Sequence, residues 1–467
     1  MERSNRKNCM HEIEPSTLSL IGNTPLVRLT GFDTGSCELY LKLENQNPGG
    51  SIKDRMAVAM IEEAERKGEL KPGDTIVEAT AGNTGVGLAL VAAIKSYRLI
   101  LVIPDKMSSE KIAHARALGA DIRLTRSDVK PGDPEYYQDM AARIAKETPR
   151  GYHINQFANP ANPLAHEITT APEIWRDMDH RVDAIVCGIG SGGTLTGLSN
   201  FFGRVQPDSE IILADPAGSS LAEYVRTGRE VPSSSYAVEG IGGSCMPAIA
   251  DLSRVRHAYS ISDAESFLTA RDLLKRTGIF AGPSSGTLLA AALRYCREQA
   301  SAKRVVTFVC DSGAKYLSKM YNDYWMLDQG YLERTPTGTL GELIARRYEE
   351  GGVITVRPDD TLLSAFQRMR MADISQVPVM ERGCCVGVLD ESDLLLAVHN
   401  DAGKFHSPVR AAMTSRLETI AAGKSIDSVY EILNRGLVAL VVEGDAFVGL
   451  ITRSDLLSHL RRKLHQF

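Results

Sequence analysis

The stretch Asn47-Pro48-Gly49-Gly50-Ser51-Ile52-Lys53-Asp54-Arg55 places one lysine between a Pro-Gly-Gly turn and an apolar segment with helical periodicity, residues 56–67. Gly49 and Gly50 have no Cβ, so the backbone and a ligand can approach each other closely at this turn. The first turn of a helix carries free N–H groups and the positive end of the helix dipole, which lowers the basicity of a nearby amine. A desolvated Lys53 is therefore suited to Schiff-base chemistry with a carbonyl compound. The alternative is an ordinary surface lysine after a turn.

The size and composition indicate an ordinary globular protein of several domains. The chain has 467 residues, of which 43% are hydrophobic and 24% charged, and a formal net charge of −5. This length predicts two or three domains, and the interspersed charges favour neither a nucleic-acid nor a membrane partner. No apolar run reaches membrane-spanning length and the tail over residues 1–17 is polar, so we expect a cytoplasmic protein. The eight cysteines have no CxxC spacing and are expected to be reduced.

Short β-rich runs alternate with amphipathic segments from about residue 38 to residue 311. This alternation predicts an α/β domain with open, largely parallel sheets. The predicted strands include residues 39–43, 75–78, 99–103, 184–187, 211–214 and 305–309. The predicted helices include residues 56–67, 86–95, 109–118, 136–146, 195–204 and 287–297. Residues 126–137 are rich in Asp, Lys, Pro and Gly and predict a surface loop.

The C-terminal part of the chain contains an internal repeat. Residues 331–338 have the composition of a linker, and beyond them Val386-Gly387-Val388-Leu389-Asp390-Glu391-Ser392-Asp393-Leu394-Leu395 returns 62 positions later as Val448-Gly449-Leu450-Ile451-Thr452-Arg453-Ser454-Asp455-Leu456-Leu457. Six of the ten positions are identical. Each copy has the pattern of a strand, a tight turn and a helix start. The repeat therefore predicts a tandem pair of small α/β units.

A second glycine-rich stretch, Gly188-Ile189-Gly190-Ser191-Gly192-Gly193-Thr194, follows the apolar run 183–187 and opens a predicted helix. Converging backbone N–H groups at such a helix start favour a phosphate. The same glycines match G-x-G-x-x-G, and Asp215 follows the next strand about twenty residues on, as in a dinucleotide-binding site. These residues alone leave open an NAD-dependent dehydrogenase, another phosphate ligand, or a structural turn.

Two further stretches combine a turn with small polar side chains. Glu78-Ala79-Thr80-Ala81-Gly82-Asn83-Thr84-Gly85 lies between a strand and an apolar helix, and its N–H and hydroxyl groups are suited to a carboxylate. Gly282-Pro283-Ser284-Ser285-Gly286 opens another helix. Each stretch could instead be a turn with a helix N-cap.

Taken in this order, the four stretches resemble those of the fold-type II pyridoxal-phosphate enzymes of the cysteine synthase and cystathionine β-synthase family. The resemblance extends over roughly residues 18–327 and includes Ile21-Gly22-Asn23-Thr24-Pro25-Leu26 and Asn162-Pro163-Leu164-Ala165-His166. Its last stretch, Asp311 to Lys319 with a second module behind it, is more similar to cystathionine β-synthases than to cysteine synthases. The resemblance implies a tryptophan-synthase-β-like catalytic domain over residues 18–330.

The resemblance also implies how the cofactor is held. Lys53 would bind pyridoxal 5'-phosphate covalently and, once displaced by the substrate amine, remove the α-proton. Asn83 would hydrogen-bond the ring hydroxyl, and Ser284 would face the pyridine nitrogen. A neutral serine does not hold that nitrogen protonated, which favours β-elimination and β-replacement. The phosphate would be bound by Gly190, Ser191, Gly192, Gly193 and Thr194.

The substrate site departs from the family pattern in two places. The residues that the resemblance assigns to the substrate are Thr80, Ala81, Gly82, Thr84, Gln156, Gly240 and Gly242. Ala81 stands where the family usually has serine. Gly243-Ser244 follows Glu-Gly-Ile-Gly where cystathionine β-synthases typically carry a larger or acidic pair, which leaves the second substrate open. The haem-binding N-terminal extension of some members has no counterpart, so we expect no haem.

The repeat resembles a tandem CBS (Bateman) module, with one domain over residues 339–398 and the other over residues 406–464. Such pairs often bind adenosine derivatives. Thr452 and Asp455 in the second copy suit ribose hydroxyls and phosphate or sulfonium groups, as does Asp393 in the first copy. Asp390 replaces the usual threonine there. The alternative is a module without a ligand that only mediates assembly.

The combined prediction is a cystathionine β-synthase-like enzyme that condenses serine with homocysteine and has hydrogen-sulfide-generating side reactions. A cysteine synthase that uses O-acetylserine and sulfide is the first alternative, and an NAD-dependent dehydrogenase is a remote one. The expected assembly is a homodimer or a higher homo-oligomer.

Overall fold

The computed structural model describes residues 16–80, 82–105, 107–130, 132–229, 231–332, 338–344 and 346–464. The chain divides into two compact units, Met1–Tyr321 and Asn322–Phe467. Most of the predicted N-terminal tail and of the predicted linker lie outside the described residues. Within the described residues no helix combines the length and hydropathy that a membrane crossing requires.

Ten strands of the first unit form two sheets. The strands are β1 Leu26–Arg28, β2 Glu38–Lys42, β3 Thr75–Ala79, β4 Arg98–Pro104, β5 Asp121–Thr125, β6 Gly151–His153, β7 Ala184–Cys187, β8 Glu210–Pro216, β9 Val255–Ile261 and β10 Arg304–Phe308. One sheet has the order β1-β2-β10-β7-β8-β9 and the other has the order β5-β4-β3-β6. All neighbouring strands are parallel except β1 and β2. The predicted α/β architecture with open, largely parallel sheets is confirmed.

Helices connect these parallel strands. They are α1 Lys53–Lys67, α2 Asn83–Lys95, α3 Ser109–Ala117, α4 Tyr137–Glu147, α5 Ala161–Ala165, α6 Ala171–Asp177, α7 Gly193–Val205, α8 Leu221–Thr227, α9 Asp263–Thr277 and α10 Pro283–Arg297. A π-helical turn, His166–Thr170, joins α5 to α6. Strands β3 and β7 are buried at every position, as expected when helices cover both faces of a parallel sheet.

Three of the helices that open at the candidate site, α1, α2 and α7, begin directly after glycine-containing turns. Helix α1 begins at Lys53 itself, directly after the Pro-Gly-Gly turn. Helix α2 begins after Gly82, whose φ of 138° lies in a region that only glycine adopts easily. Helix α7 begins after Gly192, with φ of 94°. All three helices start where the sequence predicted a turn, and their first residues face the ligand region described below.

The second unit contains the internal repeat. Its elements are α11 Asp323–Asp328, α12 Leu362–Ala372, β11 Gln376–Glu381, β12 Cys384–Asp390, α13 Glu391–Val398, β13 Thr419–Ala421, α14 Tyr430–Asn434, β14 Ala439–Glu443, β15 Ala446–Ile451 and α15 Arg453–Leu464. β11 and β12 form one antiparallel hairpin, and β14 and β15 form the other. Both hairpins shift register at equivalent positions, after Val379 and after Val441. The 62-residue sequence repeat is therefore a repeat of local geometry, although the predicted domain limits stay predictions.

Candidate active site

Lys53 is the first residue of α1 and is held in place through its backbone neighbours. Ile52 N donates to Cys310 O at 2.8 Å, and Ser51 pairs with Asp311 in an isolated antiparallel bridge. The Lys53 side chain is mostly enclosed, and burial lowers the pKa of its amine. No side chain of the described residues forms a hydrogen bond or ion pair with Nζ. An amine in this state is available as a nucleophile and as a base.

The Lys53 side chain and the glycine-rich stretch line one cleft of about 370 Å³, including the part open to solvent. The apolar part of the wall comes from Ile241, Leu288 and Phe308. The polar part consists of backbone around Gly190 to Thr194 and the thiols Cys187 and Cys310. The structure thus brings together the two stretches, about 140 residues apart, that the sequence singled out.

The glycine-rich stretch has no space for side chains at its central positions. A Cβ on Gly190 would lie 2.4 Å from Gly240 O, and a Cβ on Gly193 would lie 1.9 Å from Asn162 Oδ1. Gly242 N also donates to Ile189 O at 2.7 Å, which joins the Glu-Gly-Ile-Gly segment to this loop. Gly240 and Gly242, predicted to bind substrate, therefore lie against the glycine-rich stretch. The result is a backbone cradle at the start of α7, where N–H groups and the helix dipole favour an anion.

Two residues that the sequence analysis did not assign to the site support this cradle. The buried Asn162 donates through Nδ2 to Ser191 Oγ at 2.9 Å and to Gln156 O at 2.9 Å. His166 Nε2 lies 3.2 Å from Thr194 Oγ1. Burial lowers the pKa of His166 well below its usual value, so the imidazole is neutral. Both residues belong to the quoted 162–166 stretch, but their partners become neighbours only in the fold.

Asn83 is tied to the C-terminal part of the unit. Its Nδ2 donates to Asp311 Oδ2 at 2.7 Å, and its Oδ1 accepts from Lys315 Nζ at 2.8 Å. Lys315 Nζ also donates to Gly49 O at 2.8 Å. Asn83 is thereby fixed beside the turn that leads to Lys53.

Ser284 is buried in the first turn of α10, beside the cleft. The hydroxyl of Ser284 interacts with the Cys310 thiol, whose pKa is raised, chiefly by burial, to about 12. The next residue, Ser285, accepts a hydrogen bond from Cys310 N at 2.9 Å. Since Cys310 lines the cleft, Ser284 lies next to the ligand space as a neutral hydroxyl.

The residues predicted to bind a substrate carboxylate form a connected group. Thr84 Oγ1 donates to Gln156 Oε1 at 2.8 Å, and Gln156 Nε2 donates to Ala79 O at 3.0 Å. Thr80 Oγ1 accepts from Gly82 N at 3.1 Å. Ala81 lies outside the described residues. Thr80, Thr84 and Gln156 are buried side by side, with backbone N–H groups of the α2 start next to them.

Two ion pairs on the buried Glu239 lie beside the loop at the start of α2. Lys111 Nζ lies 2.7 Å from Glu239 Oε2, and Lys319 Nζ lies 2.6 Å from Glu239 Oε1. A Cβ on Gly82 would meet Lys111 Cδ at 2.4 Å. Glu239 opens the Glu-Gly-Ile-Gly segment, so this cluster connects the loop at the start of α2 to the glycine-rich stretch through Gly240.

Comparison with known proteins identifies the family. The family model described as pyridoxal-phosphate dependent enzyme matches residues 17–311, and the CBS domain model matches residues 346–400 and 409–462. The cystathionine β-synthase of Mus musculus is 36% identical over 438 residues, which are 92% of this chain and 78% of the mouse protein. The chain belongs to the cystathionine β-synthase family of pyridoxal-phosphate enzymes.

Two further similarities bear on the substrates. Cysteine synthase B of Salmonella typhimurium is 43% identical over 301 residues, 64% of this chain and 93% of that protein. The crystal structure of the O-acetylserine dependent cystathionine β-synthase from Helicobacter pylori is 35% identical, with a TM-score of 0.61, and covers 66% of this chain and 98% of that one. The predicted fold type, cofactor and CBS pair are confirmed, whereas the substrate pair is not decided by these similarities.

The residues of the cleft fit pyridoxal phosphate. The glycine cradle, in which a Cβ on Gly190 or Gly193 would meet protein atoms, keeps backbone N–H groups close together at the start of α7 and so suits a phosphate. Lys53 offers an unpaired amine in the same cleft, and Ile241, Leu288 and Phe308 supply apolar wall for a ring. Ser284 interacts with Cys310 of the cleft wall, and Asn83 is bonded to Asp311, the residue after Cys310. The donor set therefore matches the cofactor that the family uses.

The NAD alternative is wrong for this family, and the structure gives the physical reason. Asp215, which would bind a ribose in a dinucleotide site, is fully buried inside β8. Its Oδ2 accepts from Ala222 N at 2.8 Å. Burial raises the pKa of Asp215 to about 6, and the bond to Ala222 N holds the carboxyl group at the start of α8. The G-x-G-x-x-G match corresponds to the glycine-rich turn that opens α7.

In the repeat, the predicted ligand residues act in helix capping. Thr452 N and Oγ1 both donate to Asp455 Oδ2 at 2.7 Å. In the first copy, Asp393 N donates to Asp390 Oδ1 at 2.8 Å and Asp390 N donates to Asp393 Oδ2 at 3.2 Å, a complete capping box. A ligand role for Thr452, Asp455 and Asp393 stays a prediction.

Proposed function

We propose that this enzyme condenses L-serine with L-homocysteine to cystathionine by β-replacement, with release of water. The observation that carries the proposal is the unpaired amine of Lys53 in one cleft with the phosphate cradle and the neutral Ser284. When bound, pyridoxal phosphate draws electron density from the α-carbon of the amino-acid substrate. The extent of similarity to cystathionine β-synthases, through both the catalytic part and the CBS pair, supports homocysteine as the second substrate.

In this proposal Lys53 performs both covalent attachment and proton transfer. Burial lowers the pKa of the Lys53 amine and so raises the fraction of neutral amine, which a base for the α-proton requires. Asn83 Nδ2 has a second N–H besides the one bound to Asp311, and this N–H serves the ring hydroxyl. Ser284 faces the ring nitrogen without charging it, which favours loss of a β-substituent over reactions that need a long-lived carbanion.

The substrate carboxylate is assigned to the loop at the start of α2. Gly82 and Thr84 N–H groups, together with the hydroxyls of Thr80 and Thr84, provide several donors at a helix N-terminus. Gln156 holds the Thr84 hydroxyl and closes the group. A carboxylate bound here places the amino acid within reach of Lys53, because α1 and α2 pack so closely that a Cβ on Gly87 would lie 3.2 Å from Lys53 O.

The second substrate meets a small, partly open segment. Gly243 is half-buried, Ser244 is exposed, and neither adds bulk beyond the Glu-Gly-Ile-Gly turn. Ser219 Oγ and Ser220 Oγ both bond to Gly243 O at 3.1 Å, which keeps the segment in place. We therefore expect broader acceptance of thiols than in relatives with bulky residues there, with homocysteine still used.

The alternative is a cysteine synthase that replaces the acetate of O-acetylserine with sulfide. The 43% identity to cysteine synthase B over the catalytic part favours it. A combination of O-acetylserine with homocysteine is the other alternative, because the Helicobacter pylori relative depends on O-acetylserine. The bacterial cysteine synthase matches only 64% of this chain, whereas the cystathionine β-synthases match the CBS pair as well.

The deciding experiment tests each first substrate with each second one. Purified enzyme is incubated with serine, O-acetylserine or cysteine and with homocysteine or sulfide, and products are quantified by mass spectrometry. Cystathionine from serine is the expected main product, and cysteine with homocysteine should release hydrogen sulfide as a side reaction. Strict use of sulfide, with no cystathionine detected, would identify a cysteine synthase instead.

The role of Lys53 is tested separately from the substrates. The purified protein should be yellow, and borohydride should fix the cofactor to the peptide that contains Lys53. Lys53→Ala should abolish turnover and leave the circular dichroism spectrum unchanged, with Lys67→Ala on the exposed end of α1 as the control. Labelling of a different lysine would refute the assignment.

For the repeat, we propose an adenosine-type effector in the second copy. Calorimetric titration of the full-length protein with AdoMet, ATP and AMP identifies the ligand. Asp455→Ala should weaken its binding, whereas Asp393→Ala, which removes the equivalent cap in the first copy, should weaken it less. Equal affinity after Asp455→Ala would refute the pocket. A homo-oligomeric assembly and a cytoplasmic location stay predictions from the sequence.

A further inference from the structure

Lys315 is a buried lysine to which neither the sequence analysis nor the proposed function gives a role. Only 6% of the residue is exposed. Burial, opposed by the charges of Asp311 and Asp54, lowers the pKa of Lys315 to about 8. Lys315 lies on a short helical turn, Gly313–Tyr316, that follows β10. A lysine of this kind is costly to bury unless its donors are used well.

Its amine connects two loops of the candidate site. Nζ donates to Asn83 Oδ1 at 2.8 Å, at the start of α2, and to Gly49 O at 2.8 Å, in the turn before Lys53. The distance between the Asn83 amide and the Lys53 turn is therefore set by one ammonium group.

The Asn83 amide is held at both ends. Oδ1 can only accept, and it accepts from Lys315, whereas Nδ2 donates to Asp311 Oδ2 at 2.7 Å. Asp311 Oδ2 also accepts from Tyr316 OH at 2.6 Å, so the carboxylate is itself fixed. With these bonds in place the orientation of the amide is fixed, because a flip would turn Nδ2 toward the Lys315 ammonium and Oδ1 toward the Asp311 carboxylate.

We propose that Lys315 is a positioning residue for the cofactor, which acts by locking the Asn83 amide in the orientation that presents an N–H to the cofactor ring hydroxyl. The proposal rests on the assignment of Asn83 in the proposed function. Lys315 bonds both Asn83 and Gly49, so it fixes the position of the Asn83 amide relative to the turn that precedes Lys53. Removal of the ammonium group leaves Oδ1 without its donor and frees the amide to turn.

The experiment uses the full-length holoenzyme and two readouts besides activity, the Kd for pyridoxal phosphate and the position of the visible absorption band. The band is informative because the ring hydroxyl belongs to the chromophore. Lys315→Met should raise the Kd about three- to tenfold, the size of one hydrogen bond, and shift the band. Lys315→Arg, which keeps charge and donors, should lie closer to wild type. If the Met variant does not fold, Lys315→Gln should change both readouts in the same direction.

Two reference variants make the outcome specific. Asn83→Ala should shift the same band, and adding Lys315→Met to Asn83→Ala should change the Kd no further. Lys42→Met removes another buried lysine, whose Nζ lies 2.9 Å from Glu173 Oε2 and which has no bond to Asn83. This variant should lower thermal stability without shifting the band. A shift of the band by Lys42→Met would show a merely structural effect and overturn the proposal.

The remaining outcomes separate this proposal from the assignment beneath it. If Asn83→Ala changes both readouts and Lys315→Met changes neither, the positioning role is refuted and the proposed function stands. If Asn83→Ala changes neither readout, the assignment of Asn83 fails and the role of Lys315 fails with it. Additive effects of the two substitutions on the Kd would show that Lys315 acts independently of Asn83, which also refutes the proposal.

Discussion

Among the residues of α1, Arg55 should be the one whose substitution lowers the free energy of unfolding of the first unit most. Its guanidinium is buried between two carboxylates, with Nε and Nη2 each 2.8 Å from Glu44 oxygens and Nη1 and Nη2 each 2.7 Å from Glu173 oxygens. Burial disfavours the charged form of Glu173, yet the hydrogen bonds from Arg55 and Lys42 hold its pKa at about 2. Arg55 is two residues from Lys53, so this clamp also fixes the start of α1.

The magnitude follows from what Arg55→Met would leave behind. Glu173 keeps Lys42 Nζ at 2.9 Å, but Glu44 keeps only neutral donors, Thr24 Oγ1 at 2.7 Å and Asn47 Nδ2 at 2.9 Å. Removing one partner of a buried pair costs about 3–5 kcal/mol, because the other charge stays buried and unpaired. Neutralising that charge with Glu44→Gln in the Arg55→Met background should recover at least about 1 kcal/mol. Arg55→Lys should lose less than Arg55→Met.

Urea unfolding followed by tryptophan fluorescence measures this loss. The chain has two tryptophans, and Trp175 lies on α6 with Glu173. Trp325 belongs to the second unit, so all variants are made in a Trp325→Phe background. A loss below about 1 kcal/mol for Arg55→Met, or no recovery with Glu44→Gln, would refute the buried-charge argument.

Two other substitutions test buried parts of the site. Burial raises the pKa of Glu78 from 4.5 to about 8, so between these pH values the folded state binds a proton that the unfolded state does not. The free energy of unfolding of the wild type should therefore fall relative to that of Glu78→Gln as the pH rises from 4.5 to 8. Chemical denaturation should show a fall on the order of 3–5 kcal/mol. A pH-independent difference would contradict this. Gly193→Ala places a Cβ 1.9 Å from Asn162 Oδ1 and should weaken cofactor binding at least about tenfold in fluorescence titration, whereas Gly423→Ala, where the Cβ meets open space, should not. Equal affinities of the two variants would remove steric exclusion as the reason for glycine at 193.

The strands that the sequence predicted and those it missed differ by their position in the sheets. All six predicted strands correspond to interior strands, β2, β3, β4, β7, β8 and β10. The strands of the first unit that were not predicted are the four edges of its two sheets, β1, β5, β6 and β9. An interior parallel strand is covered on both faces and has a continuous apolar run, whereas β5 is exposed at three of five positions. Edge strands lack that signal because they are partly exposed, and they form only where the neighbouring strand offers hydrogen-bond partners.

A similar limit applies to the site. The glycine-rich turns could be found from the sequence because their requirement is local, namely backbone that no side chain can enter. Asn162 and Lys315 could not be assigned from the sequence, because their partners Ser191 and Asn83 are 29 and 232 positions away. Polar residues of this kind gain a function only when the fold brings an acceptor to their donors. The sequence signal that could have drawn attention to Lys315 is its place in the quoted stretch Asp311 to Lys319, shortly after the apolar strand β10.

The two copies of the repeat have the same turn but a different charge at it. In the first copy two carboxylates, Asp390 and Asp393, form the capping box of α13. Burial, and to a lesser extent repulsion from Asp390, raises the pKa of Asp393. In the second copy Thr452 replaces the first carboxylate and donates its hydroxyl to Asp455. A phosphate would therefore meet two carboxylates at the first turn and one, already hydrogen-bonded, at the second. This difference in charge is the physical reason for expecting an anionic nucleotide, if one binds, at the second copy, whereas a cationic sulfonium group would not be excluded from the first.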